Sequence, residues 1–161
     1  MSSSCSDSSA KLMPLSEALS HLLGSAVALV DEETVMLDEA LGRVLSQPVA
    51  STINVPAWDN SAMDGYAVRH RDINGLDALP VVQRIPAGTN GQPLVAGTAA
   101  RIFTGAPIPE GADTVVMQEM VTREGKSIRI NGDVMQGSNI RSAGEDIRSG
   151  DKVIEIGTRL H

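Results

Sequence analysis

Apolar positions along the chain fall into two rhythms, separated by turn-rich stretches. Early on, Leu15, Ala18, Leu19, Leu22 and Leu23 recur every three or four residues, the stripe of an amphipathic packing helix. Ser16 is placed to cap that helix and Gly24 to end it. Residues 33–37 read as a short strand. Residues 38–45 read as a short helix whose Asp38 and Glu39 suit its N-terminus. Pro48 and Pro56 then bracket an extended connector. Beyond it the rhythm shortens to strands at 66–68, 79–85, 98–103 and 113–118. A hairpin over 121–130 with Glu124-Gly125-Lys126 at its tip follows, then a last strand at 152–156. Turn residues are densest at 86–93. Short strands with frequent turns predict a small antiparallel barrel or sandwich between about residues 53 and 144.

Composition sharpens this picture. Of 161 residues, 42% are hydrophobic but only 2% aromatic, so the core falls to Val, Ile, Leu, Ala and seven Met. The length allows one domain or two small ones. Fifteen Gly and eight Pro agree with many turns. A net charge of -7 argues against nucleic acid as the main partner. It leaves room for a small anion held by a few Arg. Cys5, the only cysteine, sits in a Ser-rich stretch, 1–10, that reads as a disordered tail. It offers neither a disulfide nor a metal site. No apolar run approaches the ~18 residues of a membrane span. The N-terminus lacks the features of a signal peptide, so a cytoplasmic protein is expected.

The stretch Pro56-Ala57-Trp58-Asp59-Asn60-Ser61-Ala62-Met63-Asp64-Gly65-Tyr66-Ala67-Val68-Arg69 obeys neither rhythm. Asp, Asn and Ser side chains bond to nearby backbone and favour loops, while Gly65 permits a tight approach to the strand that follows. Asp64 is thus delivered to the mouth of a sheet. There it can hold a divalent cation or position an oxyanion; the alternative is a plain Asp-Gly turn. Asp59, Asn60 and Ser61 are expected to fix the loop, and Trp58 to anchor it in the core. In Arg101-Ile102-Phe103-Thr104-Gly105-Ala106-Pro107, a hydroxyl stands beside flexible backbone whose N–H groups can converge on an oxyanion. In Asn139-Ile140-Arg141 through Gly144-Glu145-Asp146-Ile147, Arg141 can hold a phosphate with its forked donors, or simply staple to the acidic pair. Asp113 and Glu119 read as surface charges, and Asp72 as part of a solvated loop. His21, His70 and His161 are isolated, and no Ser or Cys stands in a nucleophile motif.

Taken together, these three blocks resemble the molybdopterin molybdenumtransferases, the MoeA/gephyrin-type family of molybdenum cofactor biosynthesis. The resemblance runs from about Leu15 to Leu160. It implies a mixed α+β, β-rich fold: an elongated α/β first domain, 11–52 plus 145–161, with a β-rich domain, 53–144, inserted. It implies insertion of molybdate into adenylylated molybdopterin with release of AMP in the presence of Mg²⁺. Asp64, Thr104 and Asp146 would be catalytic, Asp64 and Asp146 metal ligands, and Ser61, Gly105 and Arg141 substrate-binding. A homodimer and other cofactor-synthesis proteins are the implied partners. Ser142-Ala143 stand where family members often carry further Arg. Members of the family continue past the segment resembling residues 157–160, so this chain alone is expected to be inactive. The alternatives are a non-catalytic assembly module of the same ancestry and an unrelated β-rich small-ligand protein.

Overall fold

A computed structural model describes residues 12–27 and 30–161; the expectations for residues 1–10, Cys5 included, lie outside the described residues. The fold is mostly β with few helices, and the chain divides into two units, one up to Gly42 and the other from Arg43 to Leu160.

In the first unit the leucine stripe forms α1 (Leu15–Gly24). Its N-cap is Pro14 rather than Ser16, with no side-chain cap. Proline has no N–H to lose at a helix start. Contrary to a packing helix, none of its residues is buried, and Leu15, Leu22 and Leu23 are largely exposed. The predicted strand at 33–37 and helix at 38–45 are replaced by a single 3-10 turn, Leu37–Glu39. Gly42, with φ of 78°, ends any continuation.

The second unit is built on β1 (Val49–Ala50), β2 (Asn60–Ser61), β3 (Gly65–Val68), α2 (His70–Ile73), β4 (Leu79–Ile85), β5 (Ala99–Ile102), β6 (Thr114–Met117), β7 (Val121–Glu124), β8 (Ser127–Ile130), β9 (Ile140–Arg141) and β10 (Lys152–Ile154). Six strands form one sheet in the order β6-β3-β5-β4-β8-β7. The 121–130 hairpin forms as its pattern predicts, with Val121 opposite Ile130. The sheet is not wholly antiparallel, because β4 and β5 run parallel. Segment 86–98 is long enough to cross over between them, as parallel neighbours require.

Strands β3 and β5 are central and covered on both faces, which suits the small and apolar residues that make up most of them, Gly65, Ala67, Val68, Ala99, Ala100 and Ile102. Ala67, Ile85, Ala100, Ile102 and Val115 pack on one side, with Leu94 and Ala106 closing over them. Tyr66, Val68, Leu79, Ala99, Val116 and Ile128 pack on the other. Each fully buried Ile or Val contributes about 1.5–3 kcal/mol, so a core nearly free of aromatics still holds. Two small antiparallel pairs complete the unit. β1 pairs with β10, flanked by bridges Val44–Arg159 and Val55–Ile147. β2 pairs with β9.

Candidate functional site

The polar signature is built into the fold through its backbone. Asn60 lies opposite Arg141 and Ser61 opposite Ile140 in the β2–β9 pair. On the other side of β2, the Ser61 N–H donates to the Ala106 carbonyl at 2.9 Å, and the Gly105 N–H donates to the Ser61 carbonyl at 2.8 Å. The three motif blocks, far apart in sequence, are therefore laced together around Asn60 and Ser61, both buried. Ser61 forms the turn its chemistry predicts: its hydroxyl donates to the Met63 carbonyl at 2.6 Å and accepts from the Met63 N–H. Ala62 N–H donates to the carbonyl of Asn139, which takes a left-handed φ of 58°. The Asn139 side-chain amide donates to the Val115 carbonyl and fixes that strained residue.

From this frame Asp64 projects into solvent. Its Oδ1 accepts from both the N–H and the hydroxyl of Thr104. Those bonds, backbone first, with the nearby Arg101 guanidinium, hold its carboxyl below the ordinary Asp range. Among the described residues Oδ2 accepts no hydrogen bond, so half of the carboxylate faces outward uncommitted. Gly65 follows at once, pressed so closely on the Val116 carbonyl that no Cβ fits. Gly105 adopts φ of 80°, with open space where a side chain would be.

Asp146 is held differently. Both of its oxygens accept from Arg141 Nη2 at 2.7 Å, while Arg141 Nε donates to Glu145 Oε1 at 3.2 Å. The carboxylates, Asp146 foremost, raise the Arg141 pKa. Among the described residues no hydrogen bond or ion pair joins Asp146 to Asp64 or Thr104. The two carboxylates therefore belong to two sub-clusters connected through β2 and β9. The N–H groups of Thr104, Gly105 and Ala106 all serve internal acceptors. No group of three or more metal-ligating side chains is present among the described residues.

Several side chains depart from the sequence reading. Trp58 is 57% exposed and does not anchor the loop in the core; backbone pairing on both sides of β2 does that work. Asp59 is tied to the third block, its Oδ1 accepting from the Ala143 N–H at 2.7 Å. Asp113 is no free surface charge: Oδ1 accepts from the His70 N–H at 2.6 Å and Oδ2 from Gln136 at 3.0 Å. Asp72 is not simply solvated either, since it pairs with Arg69 through two bonds of 2.9 Å and accepts from the Gly97 N–H. Arg101, which was not among the expected site residues, stands beside Asp64 and donates to the Gly65 carbonyl. A charge in the middle of an otherwise apolar strand was the signal for it.

A family model described as the MoeA N-terminal region (domain I and II) matches residues 13–161. The chain is 45% identical over 139 residues to a molybdopterin molybdenumtransferase of Nostoc sp., covering 81% of this chain and 31% of that protein. It is 41% identical over 151 residues to one of Haemophilus influenzae, covering 92% and 37%. A crystal structure of the molybdopterin biosynthesis moeA protein of Pyrococcus horikoshii OT3 superposes with a TM-score of 0.79 at 39% identity, covering 94% of this chain and 41% of that one. The chain thus spans about a third of the length of the curated relatives it matches.

Proposed function

Because this chain belongs to the MoeA N-terminal region (domain I and II) family, we propose that it forms one wall of a molybdopterin molybdenumtransferase site, where molybdate is inserted into adenylylated molybdopterin and AMP is released. The observation that carries this reading is the Asp64–Thr104 pair on a loop laced to both other motif blocks. Such a reaction brings an oxyanion, a dithiolene and a phosphoanhydride together, so positioning and charge management dominate its barrier.

Asp64 is kept ionised by Thr104 and presents Oδ2 to the reacting groups. Gly105, with no side chain and open space around it, lets a substrate approach the backbone closely. Ser61 holds the loop in register. Arg141, steered by Glu145 and Asp146, offers charge to a phosphate. A carboxylate with one free oxygen fits Mg²⁺, which takes one or two carboxylates together with substrate phosphates and water. Asp64 meets that description directly. Asp146 meets it only once Arg141 releases it. When bound there, the cation would neutralise developing phosphate charge.

Segments 11–52 and 145–161 form the first domain in this reading, with 53–144 inserted; the β1–β10 pairing and the Val44–Arg159 bridge support it for residues 44–50 and 152–159. The exposed Leu15, Leu22 and Leu23 support a homodimer in the complete enzyme, with other cofactor-synthesis proteins and a cytoplasmic location as its setting. No described helix is long and apolar enough to cross a membrane. The test is a chimera: this chain replaces the matching region of the Haemophilus relative, and molybdenum insertion is assayed. The chimera should be active, and Asp64→Ala should lower the rate by about a hundredfold or more, as the loss of one preorganised electrostatic group does. Full activity of Asp64→Ala would remove the reading.

A further inference from the structure

On the face of the sheet that carries Tyr66, three cross-strand neighbours stand in one row: Tyr66 on β3 pairs with Arg101 on β5, which pairs with Arg84 on β4. Phe103 is clamped between the two guanidiniums, 4.4 Å from Arg84 and 4.7 Å from Arg101, and Arg101 also lies 5.1 Å from the Tyr66 ring. This row walls a concavity of about 410 Å³, with Gln83 at its side and Arg123 of β7 as a third cation. That volume falls in the range of small-ligand sites.

The charge arrangement is unusual for an acidic chain. Arg69, Arg129 and Arg141 each pair with a carboxylate, whereas Arg84, Arg101 and Arg123 have no such pair among the described residues. Arg101 donates to the Gly65 carbonyl and the Gln118 side chain, and Arg123 to the Gly125 carbonyl. Among the described residues the Arg84 guanidinium makes only its ring contact. Among the described residues no carboxylate lines the concavity; Asp64 feels the charge of Arg101 from outside it. Three guanidiniums facing one space repel each other, and stacking on aromatic rings offsets this only in part. The aromatic contacts also fix the planes of two of them before any ligand arrives. Preset forks of this kind match phosphate oxygens in pairs.

We propose that this concavity is a binding site for a diphosphate-bearing small molecule, distinct from the Asp64–Thr104 cleft although Arg101 borders both. A single tetrahedral oxyanion can satisfy one or two of the forks; a diphosphate carries enough charge and oxygens to engage Arg84, Arg101 and Arg123 together.

The test is calorimetric titration of the 161-residue chain with inorganic pyrophosphate in magnesium-free buffer. One saturable site is expected, weakened at least about tenfold by Arg84→Ala and by Arg123→Ala, as loss of a charged hydrogen-bonding partner implies. Both side chains are exposed, so an unchanged melting curve will certify the fold of each variant. Arg129→Ala, whose guanidinium pairs with Glu124 instead, should bind as the parent does. Absence of saturable binding, equal binding by the Arg84 and Arg123 variants, or equally tight binding of sulfate would overturn the proposal. So would binding that Thr104→Val abolishes and Arg84→Ala leaves intact, since the anion would then sit in the cleft.

Discussion

Oδ1 of Asp64 accepts two hydrogen bonds of 2.9 Å from a single residue, the N–H and the hydroxyl of Thr104, across 40 positions of chain. One residue thus both aims the carboxylate and keeps it charged. Thr104→Val preserves the shape and the N–H bond but removes the hydroxyl. The Asp64 pKa, depressed by both bonds, should then move up towards the ordinary Asp value without reaching it. Carboxyl carbon chemical shifts followed by NMR against pH would report the change. In the chimeric enzyme the same variant should lose activity about tenfold to a hundredfold, the range for one hydrogen bond to a charged group. An unmoved titration would mean that the hydroxyl does not hold Asp64 in solution.

A second prediction concerns the residue that follows. A Cβ on Gly65 would run into the Val116 carbonyl, backbone that belongs to the neighbouring strand and cannot swing away. Gly65→Ala should therefore cost about 2–4 kcal/mol, in the range of overpacking and strain. Gly75→Ala meets nothing within 4 Å and should change stability by less than about 0.5 kcal/mol. Urea unfolding of the two variants side by side checks this. Similar midpoints would show that the β3–β6 approach relaxes easily.

Why Gly65 stands at this position was legible in the sequence only as a tight approach; its partner was not. The same holds for the site as a whole. The short strands from Gly65 onward, the hairpin at 121–130 and the polar loop before Tyr66 are local properties, set by alternation and turn chemistry, and they formed as patterned, whereas the strand expected at 33–37 did not. The β4–β5 parallel pair did not announce itself, because strand direction depends on how segment 86–98 crosses the sheet, not on the strands' own residues. Asp72 and Asp113 looked like solvated charges for a similar reason: the N–H groups they accept from, on Gly97 and His70, reach them through tertiary structure. Trp58 misled in the opposite direction. Size and hydrophobicity marked it as an anchor, yet β2 is already held by backbone on both edges, and the ring stays outside.

The Arg69–Asp72 pair gives a pH prediction. Asp72 is mostly shielded, with its side chain 12% exposed. The hydrogen bonds from Arg69, then that from the Gly97 N–H, lower its pKa. A carboxylate whose pKa is lower folded than unfolded binds fewer protons in the native state. Its contribution is complete above the unfolded value of about 4 and is lost as pH falls through the lower, folded value. Asp72→Asn should thus destabilise by about 1.5–3 kcal/mol at neutral pH, the range for hydrogen bonds to a charged group, and by less in strong acid. Thermal melts from pH 7 down to about pH 2 would reveal the narrowing gap. A constant difference across that range would exclude the charged pair as its source.

Arg141 separates orientation from stability. Its guanidinium joins Glu145 and both oxygens of Asp146, but the participants are 40–51% exposed, so water screens the pair and its contribution to folding is below about 1 kcal/mol. Arg141→Ala should leave the melting temperature within a few degrees of the parent. Its effect should fall on Asp146, which loses the donor that fixes both its oxygens. In the chimeric enzyme the expected loss is about tenfold or more, larger than the stability change can account for. Arg141→Lys keeps the charge but cannot reach Glu145 and Asp146 at once with a single fork, so it should recover only part of the rate. If Arg141→Ala proved as active as the parent while Asp146→Asn did not, Asp146 would act free of its partner. The ion pair would then be a resting state that the substrate displaces.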